Sequence, residues 1–128
     1  MTSLQMQSPD LTESASEPLL RVQDLTVEFS TAAGVARALD GVSFDVHAGE
    51  TLAILGESGC GKSTTAQAIM ALLPRPAGSI VGGKILYGGR DLASLPVPKV
   101  REVCGTEIAM IFQDPLSSLN PVLRVGAQ

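Results

Sequence analysis

The sequence has little of what nucleic-acid-binding proteins usually carry. Its 128 residues have a net charge of −4, aromatic residues make up only 3%, and tryptophan is absent. Proteins that hold a nucleic-acid backbone present an excess of Lys and Arg, and those that bind single strands add aromatic rings on which bases stack. The composition therefore predicts no nucleic-acid partner.

Cysteines and long apolar runs are also scarce. Cys60 and Cys104 lie far apart without a CxxC pair, which favours neither a disulfide framework nor a zinc site. No apolar run approaches the roughly 20 residues that span a bilayer. The first eighteen residues contain three acidic residues but no Lys or Arg, unlike a signal peptide. We expect a disordered tail over 1–18 and a cytosolic protein without a transmembrane helix.

What the chain does have is enough apolar composition, 45%, for a hydrophobic core. Apolar residues alternate with polar ones in two early stretches, which is the period of half-buried strands; they are Leu25, Val27 and Phe29, then Val42, Phe44 and Val46. Two short, unalternating apolar runs, TLAIL at 51–55 and EIAMIF at 107–112, predict strands buried on both faces.

Helical spacing and turn residues define the remaining elements. Apolar residues recur at helical intervals after residue 63 until Pro74, which predicts a helix directly behind a glycine-rich loop. A short strand is predicted at 84–87 before the Gly88-Gly89 turn, and a short helix at 97–104. Strands and helices together in one chain of this length predict one α/β domain, or part of one.

Residues 56–63, GESGCGKS, match the phosphate-loop pattern G-x-x-x-x-G-K-[ST] at every specified position. Glycines let backbone N–H groups approach a polyphosphate, and the following helix adds its positive dipole end. Lys62 is a charge placed for the outer phosphates, and the Ser63 hydroxyl can ligate Mg²⁺. We therefore predict phosphate binding rather than a plain glycine turn. The loop alone does not choose between ATP and GTP, or between hydrolysis and transfer.

Cys60 occupies an unspecified position of this pattern and has two interpretations. Position 60 either needs only a small side chain, or it provides a thiol beside a helix N-terminus and a lysine, which favours the reactive thiolate. The second interpretation leads to the hypothesis that alkylation of Cys60 blocks nucleotide binding and that bound ATP protects the thiol.

Two longer stretches resemble a known family. The run ALDGVSFDVHAGETLAILGESGCGKSTTAQAIMALL resembles the start of an ATP-binding cassette (ABC) transporter ATPase. The run IAMIFQDPLSSLNPVLRVG resembles the glutamine-loop region of its oligopeptide and dipeptide importers. The likeness covers residues 19–128. It implies the nucleotide-binding domain of an α/β P-loop NTPase with an N-terminal antiparallel β region, here ending before the helical subdomain and the Walker B strand.

The resemblance also implies roles for individual residues. Gln113 would contact Mg²⁺ or the attacking water, and Thr64 would lie beside the α-phosphate unless it is simply a first-turn helix residue. Phe29 would stack on adenine, although it also completes the core face of its strand. The implied ATP-binding residues are Phe29, Gly56, Ser58, Gly59, Cys60, Gly61, Lys62, Ser63 and Thr64; Ser63 and Gln113 are the implied Mg²⁺ ligands, and Lys62 and Gln113 the catalytic residues.

Partners and location follow from the same resemblance. It implies an ATPase subunit that imports dipeptides or oligopeptides, peripheral on the cytoplasmic face of the plasma membrane. It would pair with a second ATPase subunit and couple to membrane permease subunits through the glutamine loop and the segment DPLSSLNP. An extracytoplasmic solute-binding protein would be an indirect partner.

The sequence also departs from the family pattern. It contains no LSGGQ-like signature, no apolar strand ending in Asp-Glu after the glutamine loop and no downstream histidine, since His47 precedes the phosphate loop. Two alternatives therefore stay open. One is a nucleotide-binding module without hydrolysis, and the other is a small P-loop kinase or GTPase that uses Asp114 as its metal carboxylate.

Overall fold

The computed structural model describes residues 17–114 and 119–128, and its main feature is an antiparallel sheet. The four strands, in spatial order β2-β1-β3-β4, are β1 (Leu20–Thr31), β2 (Gly34–Val46), β3 (Gly78–Tyr87) and β4 (Arg90–Asp91). All pairings are antiparallel, so the predicted antiparallel β region is confirmed. Two α-helices, α1 (Lys62–Ile69) and α2 (Val97–Val103), and a 3-10 turn (Val125–Ala127) complete the described elements.

The core face of the sheet runs along β1, where an irregularity interrupts the alternation. Val22, Leu25 and Val27 are all buried, although the first two are three residues apart. Asp24 between them adopts a left-handed backbone conformation with φ 46°, and the register with both neighbouring strands shifts there. The bulge keeps both halves of β1 facing the core. The predicted alternation accounts only for the half from Leu25 onward.

Helix α1 is shorter than predicted and ends at Ile69 rather than near Pro74. Ala71 takes the left-handed conformation, with φ 53°. The Leu72 N–H donates to the Gln67 carbonyl at 2.8 Å, and the Ala71 N–H donates to the Ala68 carbonyl at 3.2 Å. These two hydrogen bonds form a Schellman motif, which satisfies the last carbonyls and turns the chain away. The helix predicted at 97–104 is confirmed as α2.

The two apolar runs predicted as buried strands are not strands, so this part of the prediction is wrong. Residues 51–57 and 109–112 have no regular secondary structure, and Leu55 and Ile111 are 89% and 94% exposed. Within the second predicted run, 107–112, the structure has one isolated parallel bridge, between Ile108 and Cys104. A buried parallel strand needs hydrogen-bonded neighbours and helices on both faces. Within residues 17–114 and 119–128, neither run is paired as a strand with such a neighbour.

Two predicted segments lie wholly or partly outside the described residues. The tail predicted over 1–18 falls almost entirely on residues 1–16, and the segment DPLSSLNP includes residues 115–118. Both remain predictions.

Candidate phosphate-binding site

The phosphate loop joins the unpaired run 51–55 to the first residue of α1. Gly59 and Gly61 adopt φ angles of 84° and 96°, in the left-handed region that favours glycine. Gly61 is the N-cap residue of α1, so the helix starts directly at Lys62. The expected need for glycine at the tight turns of the loop is therefore met at these two positions.

The N-terminus of α1 has the properties of an anion site. No side chain caps it, and no acidic residue lies in its first turn. The first N–H groups of a helix have no partner within the helix, and the dipole adds positive potential at this end. Ser63 is exposed and Thr64 half-buried in this turn, directly behind Lys62. These groups fit the charge and the hydrogen-bond acceptors of a polyphosphate.

The Lys62 ammonium folds back into the loop. Its Nζ donates to the carbonyl oxygen of Gly56 at 2.7 Å and to that of Glu57, and it lies 3.3 Å from the Cys60 Sγ. The carbonyls at the start of the loop thus hold the positive charge next to the α1 N-terminus. A lysine is a compact point charge, which suits it to phosphate oxygens.

Gly61 also forms the contact between the loop and the sheet. A Cβ at position 61 would lie 2.5 Å from the Leu39 Cδ2 and 3.0 Å from the Ala38 carbonyl oxygen, both on β2. From the helix side, the Thr65 Oγ1 donates to the Gly61 carbonyl oxygen at 2.9 Å. Leu39 and Thr65 are the residues that sequence reasoning missed. The four-residue spacing from Gly61 to Thr65 could have indicated the second contact.

Two predicted site residues lie outside the phosphate loop. Phe29 lies on β1, and Gln113 lies in an irregular segment. The Phe29 ring is half-buried and packs on the core, so close to Gly78 that a Cβ there would lie 2.8 Å from its Cε1. This packing agrees with its interpretation as part of the core face of β1. Gln113 is exposed in the irregular segment after residue 112. Contact of either residue with a nucleotide remains a prediction.

The two cysteines differ in environment. Cys60 is exposed in the phosphate loop. Cys104 is half-buried at the end of α2, where its Sγ lies 3.8 Å from the Met70 carbonyl oxygen, and burial raises the pKa of its thiol. The thiolate form is therefore disfavoured at Cys104.

Comparisons with known proteins identify the family of this chain. Residues 39–128 match the family model described as ABC transporter. The dipeptide transport ATP-binding protein DppD of Bacillus subtilis is 51% identical over 112 residues, which cover 88% of this chain and 33% of that protein. The oligopeptide transport ATP-binding protein OppD of Bacillus subtilis is 53% identical over 110 residues, covering 86% and 31%. The OppD protein of Escherichia coli is 43% identical over 128 residues, covering 100% and 37%.

The chain thus spans about a third of the length of these relatives. Across residues 17–114 and 119–128, no helix has both the length and the apolar character needed to cross a bilayer. The family model covers more than half of the chain and includes the whole phosphate loop. On this match, the chain belongs to the ABC transporter family.

Proposed function

We propose that the chain binds Mg-ATP through the phosphate loop and forms the nucleotide-binding portion of the ATPase subunit of a peptide importer. The observation that carries this proposal is the uncapped, acid-free N-terminus of α1 with the Lys62 ammonium beside it. Membership in the ABC transporter family supports ATP as the ligand. The names of the relatives, which specify dipeptide and oligopeptide transport, support peptides as the transported solutes.

Each predicted site residue has a role in binding the nucleotide or in its hydrolysis. The backbone N–H groups of residues 58–63 bind phosphate oxygens, and Lys62 neutralises charge on the outer phosphates. Ser63 and Gln113 would hold Mg²⁺, which would neutralise phosphate charge. Gln113 also orients the attacking water, since a neutral amide both donates and accepts hydrogen bonds. Thr64 contacts the α-phosphate, and Phe29 stacks on adenine.

The proposal extends to partners. A second ATPase subunit would complete the nucleotide site, and membrane permease subunits would dock through the segment that follows Gln113. The complex would lie on the cytoplasmic face of the plasma membrane and receive peptides from an extracytoplasmic solute-binding protein. The support for these partners is family membership and the names of the relatives.

Substitution of Lys62 tests the nucleotide site. Lys62→Ala should weaken Mg-ATP binding about tenfold or more, because a charge-assisted hydrogen bond contributes about 1.5–3 kcal/mol. Lys99→Ala is the matched control, since Lys99 lies on α2 and pairs with Glu102 at the surface. Isothermal titration with Mg-ATP measures both affinities. Equal affinity of the wild type and Lys62→Ala would contradict the proposal.

A nucleotide-binding module without hydrolysis is the second candidate. It is favoured by the position of Gln113, which the structure leaves exposed in an irregular segment. Phosphoryl transfer needs a residue that orients the attacking water. Measuring ATP turnover and binding on one sample separates the candidates. Turnover that Lys62→Ala abolishes would exclude the inert module, and binding without turnover would support it.

The kinase or GTPase alternative fits the chain less well. It needs a strand that delivers Asp114 to the metal, yet residues 109–112 before it do not form a strand. It predicts that Asp114→Ala abolishes turnover while Gln113→Ala has a mild effect. The ABC ATPase predicts the larger loss for Gln113→Ala.

A further inference from the structure

We propose that Leu39 and Thr65 are positioning residues that fix the phosphate loop by holding Gly61 from two sides. Neither side chain belongs to the phosphate-loop pattern. The inference rests on the proposed function, because it concerns how the same loop presents its N–H groups to phosphate.

Leu39 provides the contact from the sheet. It lies on β2 opposite Val27, one of the most deeply buried residues of β1, and is itself only 4% exposed. The space that a side chain at position 61 would need is filled by the Leu39 Cδ2, at 2.5 Å, and bounded by the Ala38 carbonyl oxygen, at 3.0 Å. Because core side chains are close-packed, the backbone of Gly61 rests against a rigid surface of the sheet.

Thr65 provides the contact from the helix. Its side chain is buried, and both its N–H and its Oγ1 donate to the Gly61 carbonyl oxygen, each at 2.9 Å. A carbonyl oxygen has two lone pairs, so both are in use. In a trans peptide the C=O of Gly61 and the N–H of Lys62 point in opposite directions. Holding the carbonyl along the helix therefore aims the Lys62 N–H out of the helix N-terminus, toward a bound phosphate.

The other neighbours of the loop cannot provide the same support. A cavity of about 280 Å³ is lined by residues of the loop, of the run 51–55 and of β2. Its lining includes Leu52 and Leu55, which are 41% and 89% exposed. Among the residues that line it, Leu39 and Thr65 are the buried ones. These two side chains are therefore the structural basis for the orientation of Gly61.

The test for Thr65 uses two variants that separate the hydroxyl group from the methyl group. Thr65→Val removes the hydroxyl and keeps the branched shape, whereas Thr65→Ser keeps the hydroxyl. Each variant is titrated with Mg-ATP and with magnesium tripolyphosphate, which carries the phosphate chain alone. Thr65→Val should bind both ligands about fivefold more weakly than the wild type. Thr65→Ser should bind both with nearly wild-type affinity. Wild-type affinity in Thr65→Val, or equal losses in both variants, would overturn the role of Thr65.

The test for Leu39 uses a matched leucine. Leu92 is 3% exposed, close to the 4% of Leu39, but lies just after β4 and does not line the cavity beside the loop. Leu39→Ala and Leu92→Ala should lower the melting temperature to similar extents. At a temperature where both are folded, Leu39→Ala should bind tripolyphosphate about tenfold more weakly, while Leu92→Ala binds it like the wild type.

Two results would overturn the positioning role of Leu39. One is equal loss of tripolyphosphate binding in Leu39→Ala and Leu92→Ala, and the other is unchanged binding in Leu39→Ala. If Leu39→Ala does not fold, the smaller truncation Leu39→Val is compared with Leu92→Val in the same assay, and the same criteria apply. A wild-type chain that binds neither Mg-ATP nor tripolyphosphate would instead contradict the proposed function itself.

Discussion

The sheet and the two unpaired apolar runs differ in structure in a way that apolar composition does not explain. Strand β1 pairs with β2 on one side and β3 on the other, and Leu25 is completely buried between them. The runs 51–55 and 109–112 are more apolar than β1, yet Leu55 and Ile111 are almost fully exposed. Strands β1 and β2 follow each other directly in sequence, with only residues 32 and 33 between them. Available pairing, rather than apolar composition, therefore decides which segments become strands.

The phosphate loop lies between these two regions. On its N-terminal side it follows the exposed run 51–55, and on its C-terminal side it contacts β2 and α1 through Gly61. The order that the loop needs for binding phosphate is therefore supplied by the sheet and the helix. We expect the two regions to differ in stability, in thiol reactivity and in their contribution to self-association.

Truncating one leucine in each region should give the largest difference. Leu25→Ala should lower the free energy of unfolding by about 2–5 kcal/mol, because it leaves a cavity at a fully buried site. Leu55→Ala should change it by no more than about 0.5 kcal/mol, because Leu55 is already 89% exposed. Urea unfolding followed by circular dichroism measures both. Comparable losses would mean that the run 51–55 is packed in solution.

The two thiols should differ in their rates of alkylation, which is a smaller effect. Cys60 lies in an exposed loop, and Cys104 lies at the packed end of α2. Iodoacetamide should label Cys60 at least about tenfold faster than Cys104, because Cys60 is exposed and burial raises the pKa of the Cys104 thiol. Peptide mass spectrometry measures both rates in one sample.

Mg-ATP should slow the labelling of Cys60 alone, and labelled protein should lose Mg-ATP binding. Cys60→Ser tests whether the effect depends on the thiol, because this variant should bind Mg-ATP and resist the reagent. Unchanged binding after complete labelling of Cys60 would mean that position 60 needs only a small side chain.

Local signals in the sequence predicted much of the structure. The alternation from Leu25 onward identified β1, and the glycine pattern located the phosphate loop, because hairpins and loops depend on nearby residues. The bulge at Asp24 was not predictable, since it lies where the registers of β1 with two other strands shift. The contact between Leu39 and Gly61 joins residues far apart in sequence, so no local pattern reports it.

At the runs 51–55 and 109–112, the sequence predicts strands that the structure does not form. Their apolar, β-branched sequences predict strands correctly only where neighbouring strands exist to pair with them. The exposed fraction of their side chains depends on those neighbours, and a periodicity argument contains no information about them.

We expect the smallest of the three effects in self-association. This measurement tests whether the exposed runs bind other molecules of the chain. Unpaired, strand-prone apolar segments are available for contact with other molecules, so we expect the chain to self-associate at micromolar concentration when made alone. Ile111→Asp should shift the distribution toward monomer a few-fold, because Ile111 is 94% exposed within such a run. Sedimentation velocity over a concentration series measures the change.

Val35→Asp is the control for this prediction. Val35 is 68% exposed, but it lies on a paired strand, opposite Ser30 of β1. A charge there should leave the association unchanged if the unpaired runs cause it. An equal effect of both substitutions would assign the association to general surface hydrophobicity. A monomeric wild type with a sharp, cooperative melt would show that the runs are covered in solution, and the contrast between the two regions would then be smaller than the structure indicates.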